Sequence, residues 1–394
     1  MRMIYQRRII ETTITSVLER GKSLLLLGPR QTGKTTMLET FKPDMSVTLA
    51  HTDERRFYEA SPSRLRDEIA SLPRPANRDI PLVMLDEIQL VPELLDEAQS
   101  LVDRHAAQFL LTGSSARKLR RAGVNLLPGR VVSLKMDPLS IDESADAPLD
   151  RRLAYGSLPG IMSAPDDNAR QLDLDSYVDT YLQEEIRQEA IVRNLGAFSR
   201  FLELAASESG LVVNFSDLAS RIGVTHTTIT SYYGILEDCL IAERIEPISA
   251  SPVRKRLTKS PRHLFFDLGV RRVAAREGVN PSEVEKGRQF EQFVGLELLR
   301  HIRCNAISSA RLRFWRDPAG PEVDWVVERN GKFIPVEVKY RETPTLSDAR
   351  HLRTFMKEYS TDGTGYIVCR VPRPMRLADD IVALPWQRIS LVFG

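Results

Sequence analysis

Cysteine is scarce in this 394-residue chain: Cys239, Cys304 and Cys369 stand far apart. They make no metal-ligand spacing and no disulfide framework, which argues against a thiolate metal centre or a disulfide-stapled secreted scaffold and predicts a reducing, cytoplasmic setting. Long apolar runs are also missing. None approaches the roughly 20 residues of a membrane-spanning helix, so no membrane partner is predicted. The opening stretch MRMIYQRRIIETTI has neither a long apolar segment nor a small-residue cleavage site, and no secretion signal is expected from it. Excess charge of one sign is lacking too. With 55 Lys and Arg against 53 Asp and Glu the net charge is +2, so total charge gives no argument for nucleic acid and local basic clusters must decide. What the chain has is size and apolar content. At 394 residues, 42% of them hydrophobic, it is long enough for two or three domains with sizeable cores.

The most informative stretch is SLLLLGPRQTGKTTM, Ser23 to Met37. An apolar run, Leu24 to Leu27, enters a glycine turn, and a helical pattern follows. The spacing Gly28-x-x-x-x-Gly33-Lys34-Thr35 is that of a phosphate-binding loop. Glycines let backbone N–H groups turn inward around an anion. The helix after the loop points its positive dipole end at the same place. Residues Gly28, Pro29, Arg30, Gln31, Thr32, Gly33, Lys34, Thr35 and Thr36 are the expected nucleotide cradle. Lys34 would reach the β- and γ-phosphates, and the Thr35 hydroxyl would ligand Mg²⁺.

A second apolar run, IPLVMLDEIQ from Ile80 to Gln89, suits a central parallel strand buried on both faces. It ends in Asp86-Glu87, which at the C-terminal end of such a strand would lie beside the phosphate loop. Asp86 is expected to hold Mg²⁺, directly or through water, and Glu87 to polarise the attacking water. A third strand, Gln108 to Thr112, leads into Gly113-Ser114-Ser115, where Ser114 would sense the γ-phosphate or position water. Arg117, Lys118, Arg120 and Arg121 form a basic cluster, followed by Leu127-Pro128-Gly129-Arg130-Val131. Arg130 reads either as an arginine finger acting on a neighbouring subunit's nucleotide or as a structural arginine.

Together GPRQTGKTT, LVMLDEIQ, FLLTGSS and LPGRVVSLKMDPLSIDE resemble a prokaryotic family of AAA-type (AAA+) P-loop ATPases with a large C-terminal region of poorly assigned function. The resemblance implies ATP and Mg²⁺ as cofactors and an AAA-like α/β core, with the roles already given to Lys34, Thr35, Asp86 and Glu87. No second arginine sensor in a small helical lid is evident, so a standard hexamer is not implied, although a homo-oligomer is expected.

Ser144 to Asp150, SADAPLD, is the best candidate boundary after this domain. Tyr155 to Gly160 is turn-like, and Leu172 to Ala206 reads as two helices whose aromatics, Tyr181 among them, suit helix packing. FSDLASRIGVTHTTITSYYGILEDCL, Phe215 to Leu240, has helix–turn–helix spacing. Ser216 is expected to cap the first helix, Gly223 to make the turn, and the second helix to start near Thr227. Ile241 to Ile248 and the basic Arg254, Lys255, Arg256, Lys259 and Arg262 then read as a winged hairpin. One reading sets His226, Thr227, Thr228, Thr230 and Ser231 against a DNA groove and the basic wing against phosphates. The other is a winged-helix fold used only for packing.

In the last third, Glu283 to Arg303 is a strong helical pattern carrying Glu291. EVDWVVE and KFIPVEVKY form a hairpin through Arg329-Asn330-Gly331, a favoured tight turn. Glu337 and Lys339, two apart on a strand, share a face, and Asp324 lies within pairing distance across the turn. This set resembles the PD-(D/E)XK nuclease superfamily, with Asp in place of the usual Pro-Asp pair. The resemblance implies a restriction-nuclease-like α/β core with Asp324, Glu337 and Lys339 at a metal site and Glu291 as a helix ligand. An active nuclease and a nuclease-like fold kept for binding both remain open. Trp315 and Trp325 are expected in the packing rather than as base-stacking platforms.

The expected architecture is therefore α/β: an AAA-type ATPase domain over 1–145, a helical and winged-helix middle over 146–262, and a nuclease-like end over 263–394. The expected activity is ATP hydrolysis that remodels or processes DNA, branched forms included, with a metal-dependent nuclease site. The alternative is a nucleotide-dependent switch that binds a protein partner.

Overall fold

The computed structural model describes residues 5–115, 129–182, 194–251, 254 and 257–394, with the side chain of Tyr181 excluded. The sequence features Arg117, Lys118, Arg120, Arg121, Leu127, Pro128, Lys255 and Arg256 lie outside the described residues. The chain divides into two compact units. The first is Met1–Leu139 with Asp238–Ile241 and Arg303–Asn305; the second holds the remainder. Among the described residues, no helix is long and apolar enough to cross a membrane.

In the first unit α1 (Ile10–Glu19), β1 (Ser23–Leu27), α2 (Lys34–Glu39), β2 (Met45–Thr48), α3 (Thr52–Ala60), α4 (Arg64–Ala70), β3 (Leu82–Asp86), α5 (Leu94–Asp103), β4 (Gln108–Gly113) and β5 (Val131–Lys135) follow in order. The five strands form one sheet in the order β2-β3-β4-β1-β5, and every pairing is parallel. The unbroken apolar runs of β1, β3 and β4 follow from burial on both faces. Leu25, Val83, Leu85, Phe109 and Leu111 share a core with Tyr58, Leu65 and Leu95 of α3, α4 and α5. Their neighbours Leu24, Leu26, Met84 and Leu110 share one with Ile10, Ile14, Met37 and Leu38 of α1 and α2. The period of two in each strand thus decides which helix layer a leucine meets. Helix α1 starts at Ile10 rather than near Tyr5, and β5 had no distinct pattern in the sequence.

The second unit opens with α6 (Leu149–Tyr155), α7 (Pro159–Ser163), α8 (Asp167–Ser176) continuing as a π-helical turn over Tyr177–Leu182, and α9 (Leu195–Ser207). Next come α10 (Phe215–Ile222), α11 (His226–Asp238), the antiparallel pair β6 (Ala242–Ile245) and β7 (Arg262–Phe265), α12 (Leu268–Ala274) and α13 (Glu283–Cys304). Gly223 takes the left-handed conformation, φ +79°, that ends α10. The cap of α10 is Asn214, whose side chain accepts from the Asp217 N–H at 3.1 Å, and not Ser216. Ser216 falls inside the helix, because the short Asn214 side chain two residues earlier already reaches a free N–H group.

A mixed six-stranded sheet completes this unit: β8 (Ala310–Arg316), β9 (Glu322–Arg329), β10 (Lys332–Val338), β11 (Gly365–Cys369), β12 (Met375–Ala378) and β13 (Ile381–Pro385), in the order β12-β13-β11-β10-β9-β8. Asn330 at φ +51° and Gly331 at φ +75° supply the two positive angles that a type I′ hairpin between β9 and β10 needs. Phe290, Phe293 and Val294 of α13 pack with Trp325, Val327, Ile334 and Val336. Leu352 and Phe355 of α14 (Arg350–Glu358) pack with Trp315, Val323, Val326 and Ile367. Both tryptophans are fully buried, as packing residues should be.

The Tyr155-Gly156-Ser157 turn is locked by a buried acid. Asp267 has no exposed surface and accepts from Ser157 N (2.6 Å), Gly269 N (2.9 Å) and Val270 N (3.1 Å). Gly156 sits at φ +74°, where a Cβ would collide with the Asp267 carboxylate. Gly156→Ala therefore meets two penalties at once and is expected to destabilise this unit by about 2 kcal/mol or more, read as a lower denaturation midpoint. An unchanged midpoint would remove the lock.

Candidate functional site

The loop after β1 is built around close backbone approach. A Cβ on Gly28 would collide with the Met136 carbonyl, and the Gly28 N–H donates to Gly113 O at 3.1 Å. Gly33 takes φ +90° and Gln31 φ +62°, the turned conformations that bring successive N–H groups to one side. Arg8, 4% exposed, holds the loop from behind: Nη1 donates to Thr32 O at 2.8 Å and Nη2 to Asp137 O at 2.7 Å. The sequence reading missed Arg8, because a lone arginine ahead of a helix carries no spacing signal. Lys34 is buried, and its Nζ donates to Gly28 O (2.8 Å) and Pro29 O (3.0 Å). Pro29 and Thr32 are buried beside it, with the Thr32 hydroxyl on Pro29 O at 2.9 Å. Arg30 is half-buried, and Gln31 and Thr36 are exposed.

The acids of β3 meet this loop. Thr35 Oγ1 donates to Asp86 Oδ1 at 2.9 Å, and Thr112 Oγ1 donates to the same oxygen at 2.6 Å. Thr112 Oγ1 also accepts from the Glu87 N–H at 2.9 Å. Glu87 itself takes φ +58°, a sparsely populated conformation for a non-glycine residue. Ser114 Oγ donates to Glu87 Oε2 at 2.9 Å, and Gln89 Nε2 reaches both Glu87 Oε2 and, at 3.0 Å, Ser114 Oγ. Burial pushes the Asp86 carboxyl above its ordinary range, despite the two threonine hydroxyls and Lys34. Burial also pushes Glu87 up, but Lys34, the hydrogen bonds from Gln89 and Ser114, and Arg30 outweigh it and hold Glu87 below its ordinary range. Adjacent carboxylates with opposite shifts are equipped for different tasks. Asp86 and the Thr35 hydroxyl offer the hard oxygen donors that suit Mg²⁺.

Comparison with known proteins bears on this arrangement. Residues 20–145 match the AAA domain family. This AAA-type P-loop domain implies nucleotide binding and ATPase-like function. Residues 147–282 match the family described as Domain of unknown function (DUF8612), and residues 286–389 Domain of unknown function (DUF4143). An uncharacterized protein of Mycobacterium tuberculosis is 27% identical over 98% of this chain and 85% of its own length, and one of Mycobacterium bovis gives the same values. An uncharacterized protein of Haemophilus influenzae is 22% identical over 74% of each chain. A crystal structure of a Vibrio cholerae protein covers 94% of this chain and 96% of that one at 12% identity, with a TM-score of 0.22, too low to carry an argument.

Within the AAA domain, Arg130 stands apart from the loop. It immediately precedes β5, whose first residue pairs with Ser23 at the start of β1, and its carbonyl accepts from the Ser23 N–H at 3.2 Å. The phosphate loop begins at the other end of β1, about 15 Å away at 3.3 Å per residue. The Arg130 side chain pairs with Asp103. Thr112→Val would strip Asp86 and the Glu87 N–H of a shared partner. The expected loss is about 1–3 kcal/mol of stability and about 10–100-fold in ATP turnover, with Thr112→Ser close to wild type in both. Steady-state hydrolysis and a denaturation curve check this.

In the second unit the four charged residues of the C-terminal region do come together. Glu291 lies on α13, Asp324 on β9, Glu337 on β10 and Lys339 just beyond it. Asp324 Oδ2 accepts from Val338 N at 2.8 Å, and Lys339 Nζ donates to Glu337 Oε1 at 2.6 Å. Burial raises all three carboxyls; repulsion from Asp324 adds to it at Glu291 and Glu337, while Arg262 pulls against it at Glu291, Lys339 at Glu337 and both at Asp324. Among the described residues, no three His, Cys, Asp or Glu side chains are arranged to hold a metal ion.

Two arginines of the basic stretch, Arg254 and Arg262, are already paired. Arg262 is 4% exposed, and its Nη1 donates to Glu291 Oε1 at 2.7 Å. Arg254 pairs with Asp317 and, at 2.6 Å, with Glu358, while stacking on Trp315. Both arginines pair with acids of the same unit, and the burial of Arg262 runs against its expected contact with DNA phosphates. Lys259 is exposed, as are His226, Thr227, Thr230 and Ser231 of α11, with Thr228 half-buried.

Proposed function

We propose that the protein is an ATP-hydrolysing AAA-type switch that uses Mg²⁺ with ATP. The reading rests on the meeting of Lys34, Thr35, Asp86, Glu87 and Ser114 at the C-terminal ends of three neighbouring parallel strands, where ligands of open α/β sheets bind. Inward N–H groups of Arg30 to Thr36 cradle the phosphates. Lys34 exchanges its two carbonyl acceptors for β- and γ-phosphate oxygens. Thr35 and Asp86 hold Mg²⁺, which when bound neutralises phosphate charge. Glu87 Oε, ionised at neutral pH, accepts the proton of the attacking water, and Ser114 keeps that carboxylate aimed.

The reading divides the chain into an ATPase region over 1–145, a helical and winged-helix region over 146–262, and a nuclease-like region over 263–394. Two uses of ATP turnover compete. DNA processing is favoured by the exposed hydroxyl face of α11. A protein-partner switch is favoured by the engagement of Arg254 and Arg262 in ion pairs, which occupies two of the cations that a DNA wing would need. The ion pairs weigh more, because phosphate contacts supply most of the affinity for duplex DNA. Arg130 stands at the far end of the sheet from its own loop, so as a finger it would serve a second copy of the chain.

Steady-state ATP hydrolysis with and without single-stranded, duplex and branched DNA tests the proposal, with Lys34→Ala as the blank. Lys34→Ala is expected to abolish turnover while the fold persists, and Glu87→Gln to keep ATP bound with turnover down about 10²–10⁴-fold. Wild-type turnover that ignores every DNA form fits the switch. Stimulation by one form would return DNA as the substrate, and full turnover by Lys34→Ala would remove the site.

A further inference from the structure

A nuclease-like resemblance implies a divalent cation among Glu291, Asp324 and Glu337, yet among the described residues these acids are not arranged to hold one, and one oxygen of each already has a partner within the second unit. Glu291 Oε1 is taken by Arg262 Nη1 at 2.7 Å. The same nitrogen reaches the Asp324 carbonyl at 3.2 Å. Asp324 Oδ2 is taken by Val338 N, and Glu337 Oε1 by Lys339 Nζ at 2.6 Å. Glu337 Oε2 is a buried acceptor without a hydrogen-bond partner.

Arg262 is also hard to displace. Its guanidinium lies over the rings of Phe314 (4.6 Å) and Trp325 (5.3 Å). Its backbone is fixed on β7 opposite Ile245, with a further bridge to Val212. A planar, weakly hydrated guanidinium suits such a seat, whereas Mg²⁺ sheds water reluctantly.

We infer that Arg262 is the resident cation of this cluster, so that Glu291, Asp324, Glu337 and Lys339 form with it an ionic core and not a divalent-metal site. The inference concerns residues of the second unit alone and goes beyond the ATPase reading. Arg262 comes from a strand far upstream of the acids in sequence and replaces the metal with a covalently attached charge. The nuclease-like region then acts through its shape and surface, as a switch requires.

Mn²⁺ binding to the full chain without nucleotide, followed by the electron spin resonance of free Mn²⁺ and by thermal melting, tests this. The wild type is expected to bind no Mn²⁺ that Glu337→Gln can remove, and its melting temperature is expected to respond to Mn²⁺ no more than that of Glu337→Gln. Arg262→Gln opens the seat and is expected to gain one Mn²⁺ per chain, lost again in the Arg262→Gln, Glu337→Gln double variant. Arg262→Lys keeps a cation in place and gains none. A wild-type Mn²⁺ that Glu337→Gln abolishes overturns the inference, and so does a folded Arg262→Gln protein that gains nothing. If Arg262→Gln fails to fold, the wild type against Glu337→Gln decides. Mn²⁺ held at the nucleotide loop is lost with Asp86→Asn and kept with Glu337→Gln, so failure here is distinct from failure of the ATPase reading.

Discussion

The Thr112 hydroxyl stands between the two carboxylates on which the nucleotide site depends. It has one proton to give, and gives it to Asp86; its lone pairs accept the Glu87 N–H. The strand order explains why this contact matters. Since β4 lies between β1 and β3, the loop after β1 must reach across the end of β4 to meet the acids of β3. Thr112, near that end, joins what the reach would otherwise leave apart. Thr35 then closes on the same Asp86 oxygen. The left-handed backbone of Glu87 is the cost of turning its N–H toward β4 while its side chain meets Ser114 and Gln89.

Much of this was legible because it is local. The apolar runs of β1, β3 and β4 announce strands covered on both faces, and the glycine-lysine-threonine spacing announces the loop. Asn330-Gly331 announces its hairpin, and the apolar positions of Glu283–Cys304 its helix. The parts that escaped depend on what comes near in space. Arg8 acts on the loop from 24 residues away. Thr112 looked like an ordinary strand-end threonine until Asp86 and Glu87 were beside it. Strands β12 and β13 form the far side of the second sheet with short sequences of weak pattern. The cap at Asn214 displaced Ser216 because either residue type serves, and only the backbone decides which one stands at the boundary.

Charge was the least legible property. A run holding Arg254, Lys255, Arg256, Lys259 and Arg262 looks like a phosphate-binding stripe when counted along the chain. In three dimensions Arg254 is matched by Asp317 and Glu358, and Arg262 by Glu291, all of them more than twenty residues distant. Two of the apparent surface charges are thus partly or fully buried ion pairs with aromatic floors. Sequence alone counts cations; partners convert them into either a binding surface or a core.

The same distinction separates the two ionic clusters of this chain. Lys34 rests on neutral carbonyl oxygens of its own loop. A phosphate offers it stronger acceptors in the same direction, so binding exchanges one set of partners for a better one and strands no charge. Arg262 rests on a carboxylate and two rings inside the second unit. To admit a metal there, a buried guanidinium must give up its counter-charge, and breaking such a pair costs about 3–5 kcal/mol before the incoming ion has lost any water. One cluster is poised for a ligand because its cation's hydrogen bonds go to neutral carbonyl oxygens. The other is closed to one because its cation is already the ligand.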